Sequence, residues 1–242
     1  MPSDELIDDR HAVDVWLVAP GASPDSGSER WSAVLAAPER QRASRLLDPE
    51  HRARFVFAHG LKREILARYT GERPQDLRFT AGVRGKPVLV PADPSAHVPP
   101  AHFNMSHTRD LVALAVCRTV PIGIDVEAIR PVSPGLARRF FSAREAVALE
   151  ALTGDARQRA FFRVWTAKEA VTKALGTGIA HGLDRFAVTV AHDAPLALEW
   201  MEGDATAPMT WTLHALPVPP DFAGALAIPV RSEAACVQFR TL

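Results

Sequence analysis

Cysteine is scarce: Cys117 and Cys236 are the two in 242 residues, far apart and outside any CxxC or Cys/His array. That argues against a disulfide framework and against a structural zinc site. Both lie in apolar runs and read as small buried hydrophobes. Net charge is missing as well, with 28 Lys and Arg against 28 Asp and Glu. No global field draws such a chain to nucleic acid or to a membrane surface. Long apolar runs are absent; Leu111 to Cys117 is among the longest and is far too short to span a bilayer. The opening residues, Met-Pro-Ser-Asp-Glu, show no charged stretch followed by an apolar one, so the expected location is the cytoplasm. There is no GxxxxGK[ST] phosphate loop, no GxSxG nucleophile elbow, and no repeat at the level of residue identity.

What is present suits a globular chain. Hydrophobic residues make up 47% and charged residues 23%, enough to bury a core without covalent staples. Ala12 to Ala19 alternates as a strand does. Gly21 to Ser28 reads as a loop, and Asp48-Pro49-Glu50 opens a helix that Gly71 can end. Leu77 to Thr80 and Val88 to Val90 are short strands around a turn, and Pro91 to Pro100 is a Pro-rich loop. Phe103 to Met105, Leu111 to Cys117 and Ile122 to Val126 follow as strands. Ser142-Ala-Arg-Glu145 is a capping box, and Asp155 is placed to cap a helix reaching Leu175. Phe186 to Val190, Trp211 to Leu216 and Ala225 to Val230 are β-like. This order predicts an α+β fold of two similar halves, residues 1–119 and 120–242.

Chemistry concentrates in two places. Along a helix, Trp165, Glu169 and Lys173 recur every four residues and share a face. On a strand, Asp125 and Glu127 point one way. Three acids from two elements, with lysines nearby, suit a metal holding a phosphate ester. Read singly, each signal has a plainer meaning. Asp-x-Glu also marks the solvent face of an edge strand, and Glu169–Lys173 is a surface pair worth about 0.2–0.5 kcal/mol. Trp165 on the same stripe shifts the balance, because that stripe then faces another element and its charges need partners. Ser106 and His107 are adjacent, which disfavours a nucleophile–base pair and favours donation to phosphate oxygens; His107 alone reads equally well as a structural histidine. Lys86, in Gly85-Lys86-Pro87, sits on a stiffened turn. Between Arg40 and Arg73, nine basic residues face four acidic ones. Most read as a solvated helix face, with Arg54 a candidate phosphate clamp.

In sequence, Gly85-Lys86-Pro87, Phe103-Asn-Met-Ser106-His107, Gly123-Ile-Asp125-Val-Glu127, Phe141-Ser142-x-x-Glu145 and Trp165-x-x-Lys168-Glu169-Ala170-x-x-Lys173-x-x-Gly176 together resemble the 4′-phosphopantetheinyl transferase superfamily. The form is the surfactin-synthetase-activating type, a single chain with two pseudo-symmetric halves. The resemblance spans roughly residues 38 to 182, and its WxxKEA motif is the most specific part. It implies transfer of the phosphopantetheine arm of coenzyme A to a serine of an apo acyl or peptidyl carrier protein or domain, with release of adenosine 3′,5′-bisphosphate. Such carriers serve fatty acid, polyketide or nonribosomal peptide synthesis. It implies Mg²⁺, with Asp125, Glu127 and Glu169 as ligands, and a catalytic set of Asp125, Glu169 and Lys173. Its coenzyme A contacts fall on Arg54, Lys86, Ser106, His107, Glu169 and Lys173, with backbone from Arg84 to Pro87 and from Asn104. Arg40 is a candidate for the 3′-phosphate, while Ala43 stands where a lysine is usual. Glu169, directly or through a bound water, is the expected acceptor of the serine proton, and Trp165 is packing. The implied partners include neither nucleic acid nor membrane, and the implied state is a monomer with its site between the halves. Two rival readings are a coenzyme A or nucleotide-binding module without turnover and a Mg²⁺-dependent phosphohydrolase. Three intact carboxylates disfavour the first; zero net charge gives the second no nucleic-acid substrate.

Overall fold

Apolar residues at Val13 and Val15 around Asp14 form the first strand, β1 (His11–Val18), with both valines fully buried. The computed structural model describes residues 11–19, 28–91, 93, 101–178 and 182–242. The loops expected at Gly21 to Ser28 and Pro91 to Pro100 lie largely outside the described residues. Three helices follow β1: α1 (Ser28–Ala33), α2 (Ala37–Ser44) and α3 (Pro49–Thr70). Asp48 caps α3 as its sequence predicts, accepting from the backbone N–H of Glu50 at 2.8 Å and of His51 at 3.1 Å. Gly71 ends the helix in the left-handed region, φ 74°. A hairpin, β2 (Arg78–Ala81) and β3 (Pro87–Val90), leads to β4 (His102–Thr108) and β5 (Leu111–Cys117).

The same order then recurs. Strand β6 (Gly123–Ala128) is followed by α4 (Leu136–Phe140), α5 (Ala143–Glu150) and α6 (Gly154–Leu175). Hairpin β7 (Phe186–Val188) and β8 (Leu198–Met201) precedes a short α7 (Ala207–Thr210), β9 (Thr212–Ala215) and β10 (Phe222–Ile228). Ser142 and Glu145 make the expected capping box of α5. Thr153, not Asp155, is the N-cap of α6; Asp155 sits in its first turn, where an acid faces the positive end of the helix dipole. Strand β11 (Ala235–Arg240) returns to pair in parallel with β1.

The sheets repeat the pattern. The first runs β11-β1-β5-β4 and the second β6-β10-β9, so antiparallel β1-β5-β4 corresponds to antiparallel β6-β10-β9. Alternation along the strands sorts their residues. Val13, Val15, Ala113 and Ala115 from the first sheet share a central apolar cluster with Ile124, Val126, Leu226 and Ile228 from the second. Each long helix covers the opposite face of its own sheet, α3 over Trp16, Leu114 and Val116, and α6 over Ala225 and Ala227. The fold is α+β with two similar halves. Among the described residues no helix is long and apolar enough to cross a membrane.

The duplication also reaches single residues, which the bare sequence does not reveal. Both long helices have 22 residues and end on a left-handed glycine. Counted back from those glycines, Arg63-Glu64-x-x-x-Arg68-x-x-Gly71 matches Lys168-Glu169-x-x-x-Lys173-x-x-Gly176. The third residue inside each short helix, Glu39 of α2 and Glu145 of α5, turns back to bond the backbone N–H of its own N-cap residue. In each half a base on the long helix holds that glutamate. Arg63 reaches Glu39 and donates to the carbonyls of Pro74 (2.7 Å) and Leu77 (3.0 Å). Lys168 lies 2.8 Å from Glu145 and donates to the carbonyls of Leu183 (2.7 Å) and Phe186. In both cases one carbonyl belongs to the first residue of the 3-10 turn ahead of the hairpin and the other to the residue just after that turn. One side chain thus ties short helix, long helix and hairpin together in each half.

Candidate active site between the halves

Strand β6 presents Asp125 toward α6, while Ile124 and Val126 on either side enter the central cluster. Two contacts fix that strand. The side-chain oxygen of Asn104, on β4, accepts from the Ile124 N–H at 2.8 Å and joins the first sheet to the second. Gly123 lets α6 lie directly on β6: a Cβ there would stand 1.9 Å from the Ala170 carbonyl oxygen and 2.5 Å from the Ala174 nitrogen. Helix α6 therefore approaches closely enough for Lys173 to donate to Asp125 Oδ1 at 2.7 Å and to the Ile124 carbonyl at 3.2 Å. Ser106, from β4, donates to the same Oδ1 at 2.8 Å.

The other oxygens are left open. Asp125 Oδ2 and Glu169 Oε1 are buried and meet no hydrogen-bond partner among the described residues. Burial, then the Asp125 charge, raises the Glu169 pKa; Lys173 opposes them and Glu127 adds to the rise. Glu127 is half-buried, with its carboxylate 3.2 Å from Arg130. Among the described residues no three His, Cys, Asp or Glu side chains are already gathered at ion-holding spacing. The donor set still fits a hard divalent cation. Two carboxylates with open oxygens are the protein share such an ion commonly takes, phosphate and water completing its shell.

The remaining expected residues fall around this centre. His107 follows Ser106 on β4 and points to the other face, at the rim. Partial desolvation, then the Lys173 ammonium, holds its imidazole below the usual pKa. Lys86, from the β2–β3 turn, donates to the carbonyls of Ile122 (3.0 Å) and Lys173 (2.6 Å), so it caps α6 from the opposite half. Burial, with Lys173 adding to it, brings its pKa down to about 8. Arg84 is exposed on that turn with φ 51°, and Pro87 is exposed beside it. Arg54 stands on α3, 3.1 Å from Glu50 and 3.8 Å from Asp110 of the β4–β5 turn. Arg40 on α2 donates to the Leu35 carbonyl. Trp165 packs against Phe140, Phe141 and Phe161, as expected of a residue that fixes the helix.

Two roles were not foreseen. Ser106 orients a carboxylate, a link that the packing of β4 beside β6 creates and no local motif signals. Lys168, next to Glu169 in the same motif, is fully buried and structural. The spacing from the Ser142 capping box to a lysine on the following helix was the available signal.

Comparison with known proteins identifies the family. A family model described as 4′-phosphopantetheinyl transferase, N-terminal matches residues 25–119, and one described as 4′-phosphopantetheinyl transferase superfamily matches residues 121–227. The chain is 38% identical over 222 residues to the 4′-phosphopantetheinyl transferase HetI of Nostoc sp., covering 91% of this chain and 87% of that protein. It is 31% identical over 172 residues to the 4′-phosphopantetheinyl transferase Sfp of Bacillus subtilis, covering 71% of this chain and 74% of that protein. With both halves matched, and with the Asp125, Glu169 and Lys173 cluster at their junction, the chain belongs to the 4′-phosphopantetheinyl transferase superfamily.

Proposed function

We propose that this protein transfers the 4′-phosphopantetheine arm of coenzyme A to a serine hydroxyl of an apo acyl or peptidyl carrier protein. The reaction depends on Mg²⁺ and releases adenosine 3′,5′-bisphosphate. The observation that carries the proposal is the pair of buried, open carboxylate oxygens on Asp125 and Glu169, beside the Lys173 ammonium. Asp125 and Glu169 would hold the ion, with Glu127 the third candidate ligand. When bound, the ion neutralises charge that builds on the diphosphate during transfer.

In the transfer, the serine oxygen bonds to the β-phosphorus. The bond from that phosphorus to the bridging oxygen on the adenosine side breaks, and that oxygen leaves with the electron pair. The serine proton needs an acceptor. Glu169 suits the role, directly or through a bound water, since it keeps a buried oxygen with no partner among the described residues. Lys173 supplies fixed positive charge, and His107 at the rim supplies a donor for phosphate oxygens. Arg54, Lys86 and the Arg84–Pro87 turn contribute contacts to coenzyme A from the first half. Ser106 and Asn104 act from behind, one orienting Asp125 and the other fixing β6. The protein works as a cytoplasmic monomer in this reading.

Incubation with coenzyme A, Mg²⁺ and an apo carrier tests the proposal by mass spectrometry. The expected product is a carrier heavier by one phosphopantetheine, lost when EDTA is added. Coenzyme A hydrolysis with an unmodified carrier would make the protein a phosphohydrolase; neither change would leave a binding module.

A further inference from the structure

Inner cations of this chain mostly meet a carboxylate: Lys62 and Arg63 meet Glu39, Lys168 meets Glu145, and Lys173 meets Asp125. Arg163, in the first half of α6, has none among the described residues. Its Nη2 donates to the Ala194 carbonyl at 2.7 Å, and its buried Nε finds no acceptor. A half-buried guanidinium without a counter-charge is costly, and burial already lowers its pKa. Arg163 lines a pocket of about 220 Å³ between α6 and the β9–β10 connection, ten residues along the helix from Lys173. Arg159, one turn away, and His192 line the same pocket.

Arg159 and His192 also line a second hollow of about 560 Å³, so the two adjoin at those side chains. The second is walled by Ala148, Leu152, Ala156, Ala160 and Val190, and its surface is almost wholly apolar. Asp193 borders this apolar part and does not line the pocket at Arg163. One end of the cleft therefore offers planar cationic donors and the other a greasy trough. That combination selects a ligand with an anionic head and an unbranched apolar body. We propose that this cleft, on the outer side of the second half, binds an amphiphilic carboxylate, its head on Arg163 and Arg159 and its chain along Leu152 and Ala156.

Isothermal titration of the full chain with decanoate, kept below its aggregation threshold, tests this. The expected result is one saturable site, with decanol and inorganic phosphate each at least tenfold weaker because each lacks one half of the ligand. Arg163→Met should weaken decanoate at least tenfold while leaving carrier modification unchanged, which separates this site from the one between the halves. Should Arg163→Met fold poorly, Ala156→Asp, at an exposed helix position, places a charge in the trough and should also abolish binding. No saturable binding, equal affinity in the folded variants, or displacement of decanoate by coenzyme A would each overturn the proposal.

Discussion

The two halves place the same kinds of residue at the same positions and treat them differently. Val13-Asp14-Val15 on β1 corresponds to Ile124-Asp125-Val126 on β6, and Glu64 on α3 corresponds to Glu169 on α6. In the first half every one of these carboxylates is closed. Asp14 accepts from Arg240 of the returning strand β11 on one oxygen and from the Tyr69 hydroxyl on the other. Glu64 takes both nitrogens of an Arg30 fork. In the second half Asp125 and Glu169 each keep a buried oxygen with no partner. The open half has the arrangement that a ligand would complete, and the closed half is its scaffold. Buried carboxylate oxygens are seldom left bare unless something else is meant to meet them.

The comparison breaks most visibly if the open and closed glutamates prove interchangeable. Glu169→Gln keeps the shape and removes both base and charge, so transfer should fall on the order of 10³-fold. Glu64→Gln, its counterpart, should leave carrier modification within about twofold and cost only its bond to Arg30. Steady-state rates of the two variants on one carrier decide the matter; equal losses would dissolve the distinction.

The shared tie should behave oppositely, mattering to fold and not to chemistry. Lys168→Met strands Glu145 in the interior, where it also accepts from the Val188 N–H at 2.8 Å. The expected loss of stability is about 3–5 kcal/mol in urea unfolding, with transfer per folded molecule nearly unchanged. In the first half, bonds from His59, Lys62 and Arg63 overcome burial and hold the Glu39 carboxyl far below the usual range. Arg63→Met should therefore be milder than Lys168→Met, because Lys62 and His59 remain on Glu39 at 3.0 Å.

Next in size is the contact of helix and strand. Ala12 stands where the second half has Gly123, so only α6 has been drawn onto its strand. Gly123→Ala should cost about 1–3 kcal/mol and lower transfer further than stability explains, because it lifts Lys173 away from Asp125. Circular dichroism melts together with the carrier assay separate the two effects.

Much of this was legible beforehand, and the failures share a cause. The α3 cap at Asp48, the Ser142 box, the left-handed ends at Gly71 and Gly176 and the alternating strands are local, so the sequence displays them. The convergence of Asp125, Glu169 and Lys173 was readable because strand and helix periodicity aimed each side chain. The duplication was not, since Arg63 for Lys168 and Val13 for Ile124 preserve chemistry while erasing identity, and loops of unequal length hide the spacing. Nor could the positions of Ser106 and Lys86 be read. The first depends on β4 lying beside β6, and the second on a turn from one half reaching the end of a helix in the other.

The smallest effect is the most specific to an open site. The Glu169 carboxyl has its pKa raised by burial and by Asp125, so the folded state binds its proton more tightly than the unfolded chain does. Between the ordinary glutamate value and that raised value, stability must fall as pH climbs, because the folded protein gives up a proton it preferred to keep. Glu169→Gln removes the penalty. At neutral pH it should melt slightly higher than the native protein, about 2–4 °C for each kcal/mol recovered, and the gap should close below pH 4. Adding Mg²⁺ should raise the melting point of the native protein and not that of the variant, since only the native site regains a counter-charge. A variant that melts lower than the native protein in metal-free buffer would mean that Glu169 stabilises the fold and is not a strained open carboxylate.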